Sequence, residues 1–188
     1  MFRRLSFRSA DGVAGAPQGQ GLGNNFPANI RETDGIINLV RCFVDDNVVH
    51  VAGKVDPVSD IETIQTELAL ADLETVDKGI QRAAKTAKAG DKEAIKLAAL
   101  LEKVRAQLNE GKPVRALKLD KDDALLLKPF CLMTAKPAIY VANVNDKGFQ
   151  DNPLLAKVEA YAAIENAPVV VICAALEAEI ADLPDEDK

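Results

Sequence analysis

Three short runs dense in branched aliphatic residues, at positions 36–43, 137–142 and 168–173, constrain this chain more than any other feature. Each run is continuous rather than alternating, the pattern of a strand covered on both faces. Residues 153–163, between the second and third runs, read as a helix. Alternation of helices with such strands implies a parallel sheet, so the predicted fold class is α/β. At 188 residues, 48% hydrophobic and 28% charged, the chain has room for one ordinary α/β domain and a modest insertion. No apolar run approaches the roughly 18 residues that cross a membrane.

The insertion lies between the first two strand runs. Ser59 with Glu62 three residues on is a capping-box pattern, which predicts a helix from 59 to about 88. Its apolar stripe is Ile61, Ile64, Leu68, Leu73, Val76 and Ile80. Ala89-Gly90-Asp91 breaks the pattern, and a second helix is predicted from 92 to about 109. There Leu97, Leu101, Val104 and Leu108 recur at spacings of four, three and four. Two amphipathic helices joined by so short a turn fold back as an antiparallel hairpin. The segment around Lys121, Asp122 and Asp123 reads as a linker back to the sheet.

The remaining segments are less regular. Residues 11–24 form a loop containing Gly12, Gly15, Gly19, Gly21, Gly23 and Asn24, which suits close backbone approach to a ligand or simply a mobile segment. Residues 26–32 have the length of one or two helical turns. Residues 1–10 are basic, contain no acid, and read as an unstructured or artefactual start. The division that follows is 1–10, an unmatched N-terminus; 11–58, a glycine-rich loop and first strand; 59–110, the helical arm; and 111–188, the rest of the α/β domain. Cys42, Cys131 and Cys173 are odd in number, far apart and set in apolar segments. Reduced core cysteines are expected, with no metal ligation, as in a cytosolic protein.

In an open parallel sheet, ligands bind at the carboxyl ends of strands. Three loops stand there: 45–50, 143–146 and 174–177. Asn143 followed by Asp146 suits recognition of a purine base. The acid accepts hydrogen bonds from base nitrogens while the Asn side chain ties neighbouring loops together. Asn and Asp also dominate ordinary turns, so the spacing alone leaves both readings open. The arm carries a second signal. Between 78 and 105, eight basic residues stand against three acids, an excess of about five, although the whole chain has a formal charge of −6. Lys85, Lys88, Lys92 and Lys96 cluster near the hairpin tip. Such a patch neutralises phosphates through counterion release, or is a solvated helix face with i,i+4 pairs. With 4% aromatic residues, RNA contact would depend on shape and charge rather than base stacking.

Several blocks, taken together and in order, resemble the YchF-type ATPases of the Obg family. They are the stretch from Gly15 through Gly19, Gly21, Gly23 and Asn24 to Asn29-Ile30-Arg31-Glu32-Thr33; Val40-Arg41-Cys42-Phe43; Val51-Ala52-Gly53-Lys54-Val55; Thr66-Glu67-Leu68-Ala69-Leu70-Ala71-Asp72-Leu73; and Tyr140-Val141-Ala142-Asn143-Val144-Asn145-Asp146. The likeness covers 13–188. It implies a P-loop NTPase fold with an inserted helical hairpin, binding and hydrolysis of ATP or GTP with Mg²⁺, and the ribosome as partner. It also implies a monomeric cytoplasmic protein with no membrane or DNA partner. By position, Asn143, Val144 and Asp146 match the base-recognition motif, and Ala174 and Ala175 match a small-residue loop beside the base. Gly15, Gly19, Gly21, Gly23 and Asn24 match the second switch. His50 falls where a water-orienting group is expected, and Lys85, Lys88, Lys92 and Lys96 become candidate ribosome contacts.

Asp146 stands where the family more often has Glu, one methylene longer, which leaves the choice between ATP and GTP open. The family's phosphate-binding motif, Gly-x-x-x-x-Gly-Lys-Ser/Thr, does not occur in these residues. Arg8 takes the place of the aspartate that opens the second switch, and the family's C-terminal TGS domain has no counterpart. These departures imply a partial chain without hydrolytic competence of its own. The rival readings are a non-catalytic ribosome- or RNA-binding module working through the arm, and an inert gene fragment.

Overall fold

The computed structural model describes residues 5–9 (backbone only), 30–45 and 55–183. Four parallel strands lie side by side in chain order: β1 (Leu5–Ser9), β2 (Gly35–Arg41), β3 (Ala138–Asn143) and β4 (Val169–Ile172). Their registers align Arg8 with Asn38, Asn38 with Tyr140, and Tyr140 with Val169. The described residues include the α-helices α1 (Pro57–Ala87), α2 (Lys92–Asn109), α3 (Lys121–Leu127), α4 (Pro153–Ile164) and α5 (Ala174–Ala181). The predicted α/β class, parallel sheet and inserted hairpin are all present.

The described chain forms two compact units. The sheet unit holds the four strands, the first turns of α1, α4 and α5. Val40, Tyr140, Ala142, Val144 and Val158 make its core, joined by Ile61 from α1. Tyr140 is fully buried; its ring meets Tyr161 edge-on at 6.0 Å and its hydroxyl donates to Glu165 Oε2 at 3.0 Å. The sheet thins toward β4, where Val170 is 48% exposed, and none of the residues of α5 is buried.

The helical unit is the hairpin from 65 on with the segment running to Pro137, together with residues 30–34. Val76 on α1 packs with Leu101, Val104 and Leu108 on α2, the seam read from the spacing. Gly79 lies against Leu101 and Phe130, and a Cβ there would come within 2.5 Å of the Phe130 ring. Asp77 pairs with Arg105 across the hairpin at 3.8 Å. At the tip Gly90 takes a φ of +84°, where a side chain is strained, and Asp91 caps α2 by accepting from the Glu93 and Ala94 N–H groups.

Five expectations require correction. Leu5–Ser9, within the supposedly unstructured start, pairs with β2, because Leu5 and Phe7 belong to a short β-prone run that a parallel neighbour can accept. Helix α1 begins at Pro57, before the Ser59 signal; proline suits the first turn, where its missing N–H costs nothing. Residues 121–127 are a helix rather than a linker. Asp120 caps it by accepting from the Asp123 N–H, and the acids at 122 and 123 favour its positive end. Cys131 is exposed, with a φ of +47°, whereas Cys42 and Cys173 are buried as expected. The helical unit also takes in 111–137, which pack with the arm.

Candidate functional site

The carboxyl ends of β2, β3 and β4 meet at a polar corner braced by two asparagines. Asn143, the last residue of β3, accepts the Ala174 N–H on Oδ1 at 3.0 Å, and its own carbonyl accepts the Cys42 N–H at 2.7 Å. Ala174 opens α5, so its N–H is one of the donors a helix start leaves without an internal partner. Residues 174–177 are therefore the first turn of a helix and not the loop that was expected. Cys173 at the cap position supplies no side-chain bond, and Asn143 substitutes for it. Val144 is buried and donates to the Ile172 carbonyl at 2.8 Å.

Beyond Val144 the loop turns outward. Asn145 and Asp146 are exposed, and the Asp146 carboxylate has no hydrogen-bond partner among the described residues. Gly148 donates to the Asn145 carbonyl at 3.0 Å, and a Cβ at 148 would stand 2.6 Å from Asn145 Oδ1. Asn152 holds the loop from behind: Nδ2 donates to the carbonyls of Cys42 at 2.9 Å and Gly148 at 3.0 Å, while Oδ1 accepts from Leu154 and Leu155. Sequence reading missed Asn152. Its signal was the Asn-Pro pair that starts α4, a cap followed by proline.

Arg41, buried at the end of β2, was also missed. It donates to the carbonyls of Phe43 at 3.1 Å and Asp45 at 3.3 Å, and its guanidinium lies 4.7 Å from the centre of the Phe43 ring. Cys42 beside it has a thiol pushed up to about 11 by burial. His50, and Gly15, Gly19, Gly21, Gly23 and Asn24 of the switch-like loop, lie outside the described residues.

The helical unit has its own polar centre. Asp72, fully buried on α1, accepts the N–H groups of Met133 at 2.9 Å and Thr134 at 2.8 Å, and the Thr134 hydroxyl at 2.8 Å. Burial pushes its carboxyl above the usual carboxylate range, against the pull of those donors and of Arg31. Lys136 donates to the carbonyls of Ile30 at 2.6 Å, Arg31 at 2.8 Å and Thr33, and Arg31 donates to the Ala71 carbonyl at 3.1 Å. Three distant segments are closed into one ring of hydrogen bonds.

On the arm, Lys85, Lys88, Lys92 and Lys96 are all exposed. Lys96 is paired with Asp123 at 3.4 Å, while the other three make no ion pair among the described residues. Among the described residues no group of three or more His, Cys, Asp or Glu is placed to hold a metal ion. Nor is any described helix long and apolar enough to cross a membrane.

The parallel sheet with an inserted helical hairpin is a P-loop NTPase type of fold. It matches a solved structure described as "Structure of the Schizosaccharomyces pombe YchF GTPase" with a TM-score of 0.79 and 30% identity, over 95% of this chain and 50% of that one. The chain is 53% identical over 176 residues to "Ribosome-binding ATPase YchF" of Haemophilus influenzae, covering 94% of this chain and 48% of that protein. The same-named protein of Bacillus subtilis is 48% identical over 179 residues, 94% of this chain and 49% of that protein. "Obg-like ATPase 1" of Oryza sativa is 38% identical over 179 residues, 93% and 45% respectively. No protein-family profile matches. Over nearly its whole length the chain is similar to the YchF group of Obg-like ATPases, and it spans about half the length of the curated relatives it matches.

Proposed function

We propose that these residues supply the base-recognition corner and the ribosome-contacting arm of a cytoplasmic, YchF-type ATP- or GTP-binding protein. The observation that carries this reading is the Asn143–Ala174 bond. It fixes the strand end that leads through buried Val144 to the outward turn at Asp146, whose carboxylate is exposed. A carboxylate is purely an acceptor, suited to the N–H edge of a purine. Guanine offers two adjacent donors and adenine one amino group, so the shortened Asp146 sets the preference by reach. Ala174 and Ala175 let the base approach the backbone at the start of α5. His50 as water-orienting group, the glycine-rich switch and bound Mg²⁺ are drawn from the family resemblance. The 188 residues contain no phosphate-cradling motif, so turnover is not assigned to them alone.

Because phosphate contacts are not required, nucleosides test the corner directly. Guanosine and adenosine at millimolar concentration are expected to shift the amide resonances of residues 143–148 and 174, and Asp146→Ala to abolish the shifts. Shifts confined to other regions would refute the base corner. The arm reading rests on the unpaired Lys85, Lys88 and Lys92. Co-sedimentation with ribosomes is expected to fall steeply with salt and on reversing these three charges; binding indifferent to both would remove the arm from the interface.

A further inference from the structure

A cavity of about 1000 Å³ opens within the helical unit, made only of residues belonging to that unit. Its walls come from 31–34, from 114–119, and from α3 with the turns that follow it to Pro137. The base corner contributes nothing to it. Its size sits at the upper end of ordinary small-molecule sites, roughly 300–1,000 Å³.

Two features of its lining point to one kind of occupant. Lys121, Ala124, Leu125 and Lys128 all line the cavity, and that spacing is one face of a helix. Leu125 is 64% exposed on this face, a large aliphatic side chain held out from the unit's core. Leu117, Leu119 and Leu132 also line the cavity, so the floor is aliphatic. Lys121 and Lys128 flank Leu125, about two turns or ~10 Å apart along the helix. Neither ammonium makes an ion pair among the described residues. Glu32 and Asp34 stand on the wall from 31–34 and repel an anion there. Arg31, Arg115 and Lys136 also line the cavity, but each donates to backbone carbonyls, of Ala71, of Thr134, and of Ile30 and Arg31 respectively, so Lys121 and Lys128 are the cations offered as the anchor.

The walls are preformed. Asp72 fixes Met133 and Thr134, and Lys136 fixes the carbonyls of Ile30, Arg31 and Thr33. A ligand need not organise them, so less ordering entropy opposes binding.

We propose that this cavity binds a small anionic amphiphile, an aliphatic or aromatic body against Leu117, Leu125 and Leu132 with a phosphate, sulfonate or carboxylate head at Lys121 and Lys128. The site is separate from the base corner and stands or falls independently of it.

Cys131 lines the cavity and is the chain's one exposed cysteine, which provides a local reporter. The test uses the intact chain with 8-anilino-1-naphthalenesulfonate. Titration should saturate, and the bound dye should slow alkylation of Cys131 by N-ethylmaleimide at least about fivefold. Lys121→Glu with Lys128→Glu should raise the Kd about tenfold or more, as loss of charge-assisted contacts does. Leu125→Asp, at a position 64% exposed, should weaken binding comparably. Octyl phosphate should displace the dye about tenfold more effectively than 1-octanol. Leu176→Ser with Ile180→Ser, on the exposed α5, should leave the Kd unchanged. The proposal is overturned by a Kd indifferent to both the charge reversal and Leu125→Asp, by unprotected Cys131, by equal displacement with the two octyl compounds, or by a Kd that follows the α5 substitutions instead.

Discussion

Asp72 in the helical unit and Asn143 in the sheet unit perform one task in opposite surroundings. Each places a side-chain oxygen on backbone N–H groups from far along the chain, Asp72 on Met133 and Thr134, Asn143 on Ala174. Asp72 is sealed, with three donors on its carboxylate and no exposure. Asn143 is half-buried, its bond lies at the surface, and exposed Asn145 and Asp146 follow it. A buried anchor adds stability because any donor it abandons has no water to turn to. An anchor at the surface adds little stability and keeps the neighbouring polar groups available to a ligand. The sealed anchor serves stability, and the surface anchor is the one on which the proposed base corner is built.

Asp72→Ala tests the buried side most severely. It strands three buried donors, and a loss of about 3–4 kcal/mol is expected in urea denaturation; a loss below about 1 kcal/mol would mean that water or another group replaces the carboxylate. Thiol chemistry contrasts buried with exposed positions. Cys42, with its thiol pushed up to about 11, forms about a hundredfold less thiolate at neutral pH than a thiol titrating at the ordinary 9.0. Alkylation at pH 8 followed by peptide mapping should mark Cys131 first and reach Cys42 and Cys173 only on unfolding. The raised value favours the neutral thiol in the folded state. Its stabilising contribution is therefore complete below pH 9 and lost as the pH rises from 9 through about 11.

Lys136→Met removes the ammonium from three carbonyls, and a cost of about 2 kcal/mol is expected, with faster amide exchange at Thr33, which donates to the Ile30 carbonyl. Asn143→Ala should cost only about 1 kcal/mol in stability while removing the nucleoside-induced shift at Ala174. A larger stability loss would place Asn143 with Asp72, as a structural anchor. Replacing Leu176 and Ile180 on α5 by serine should stay within about 0.5 kcal/mol in calorimetry, because neither is buried.

Much of this architecture was legible in the residue pattern. The strand runs, the hairpin break at Gly90 and the α2 seam all follow from local periodicity and a glycine that tolerates positive φ. Asp72 was also visible in principle. It lies four residues beyond Leu68 and four before Val76, a charge in the middle of an apolar stripe, and such a charge needs partners. What they are depends on Met133 and Thr134, some sixty residues away. The α3 helix was hidden by its acids, which resemble a polar linker until Asp120 is recognised as a cap.

By itself the sequence determined the α/β class, the inserted arm and the YchF-type resemblance, because helix and strand periods and ordered motif blocks are properties of neighbours along the chain. Only tertiary structure decided that Asn143 reaches Ala174, that Asp72 and Lys136 close a ring, and that Lys121, Leu125 and Lys128 face a cavity. Those facts depend on long-range packing and on which polar groups lose their water, and no local pattern encodes either.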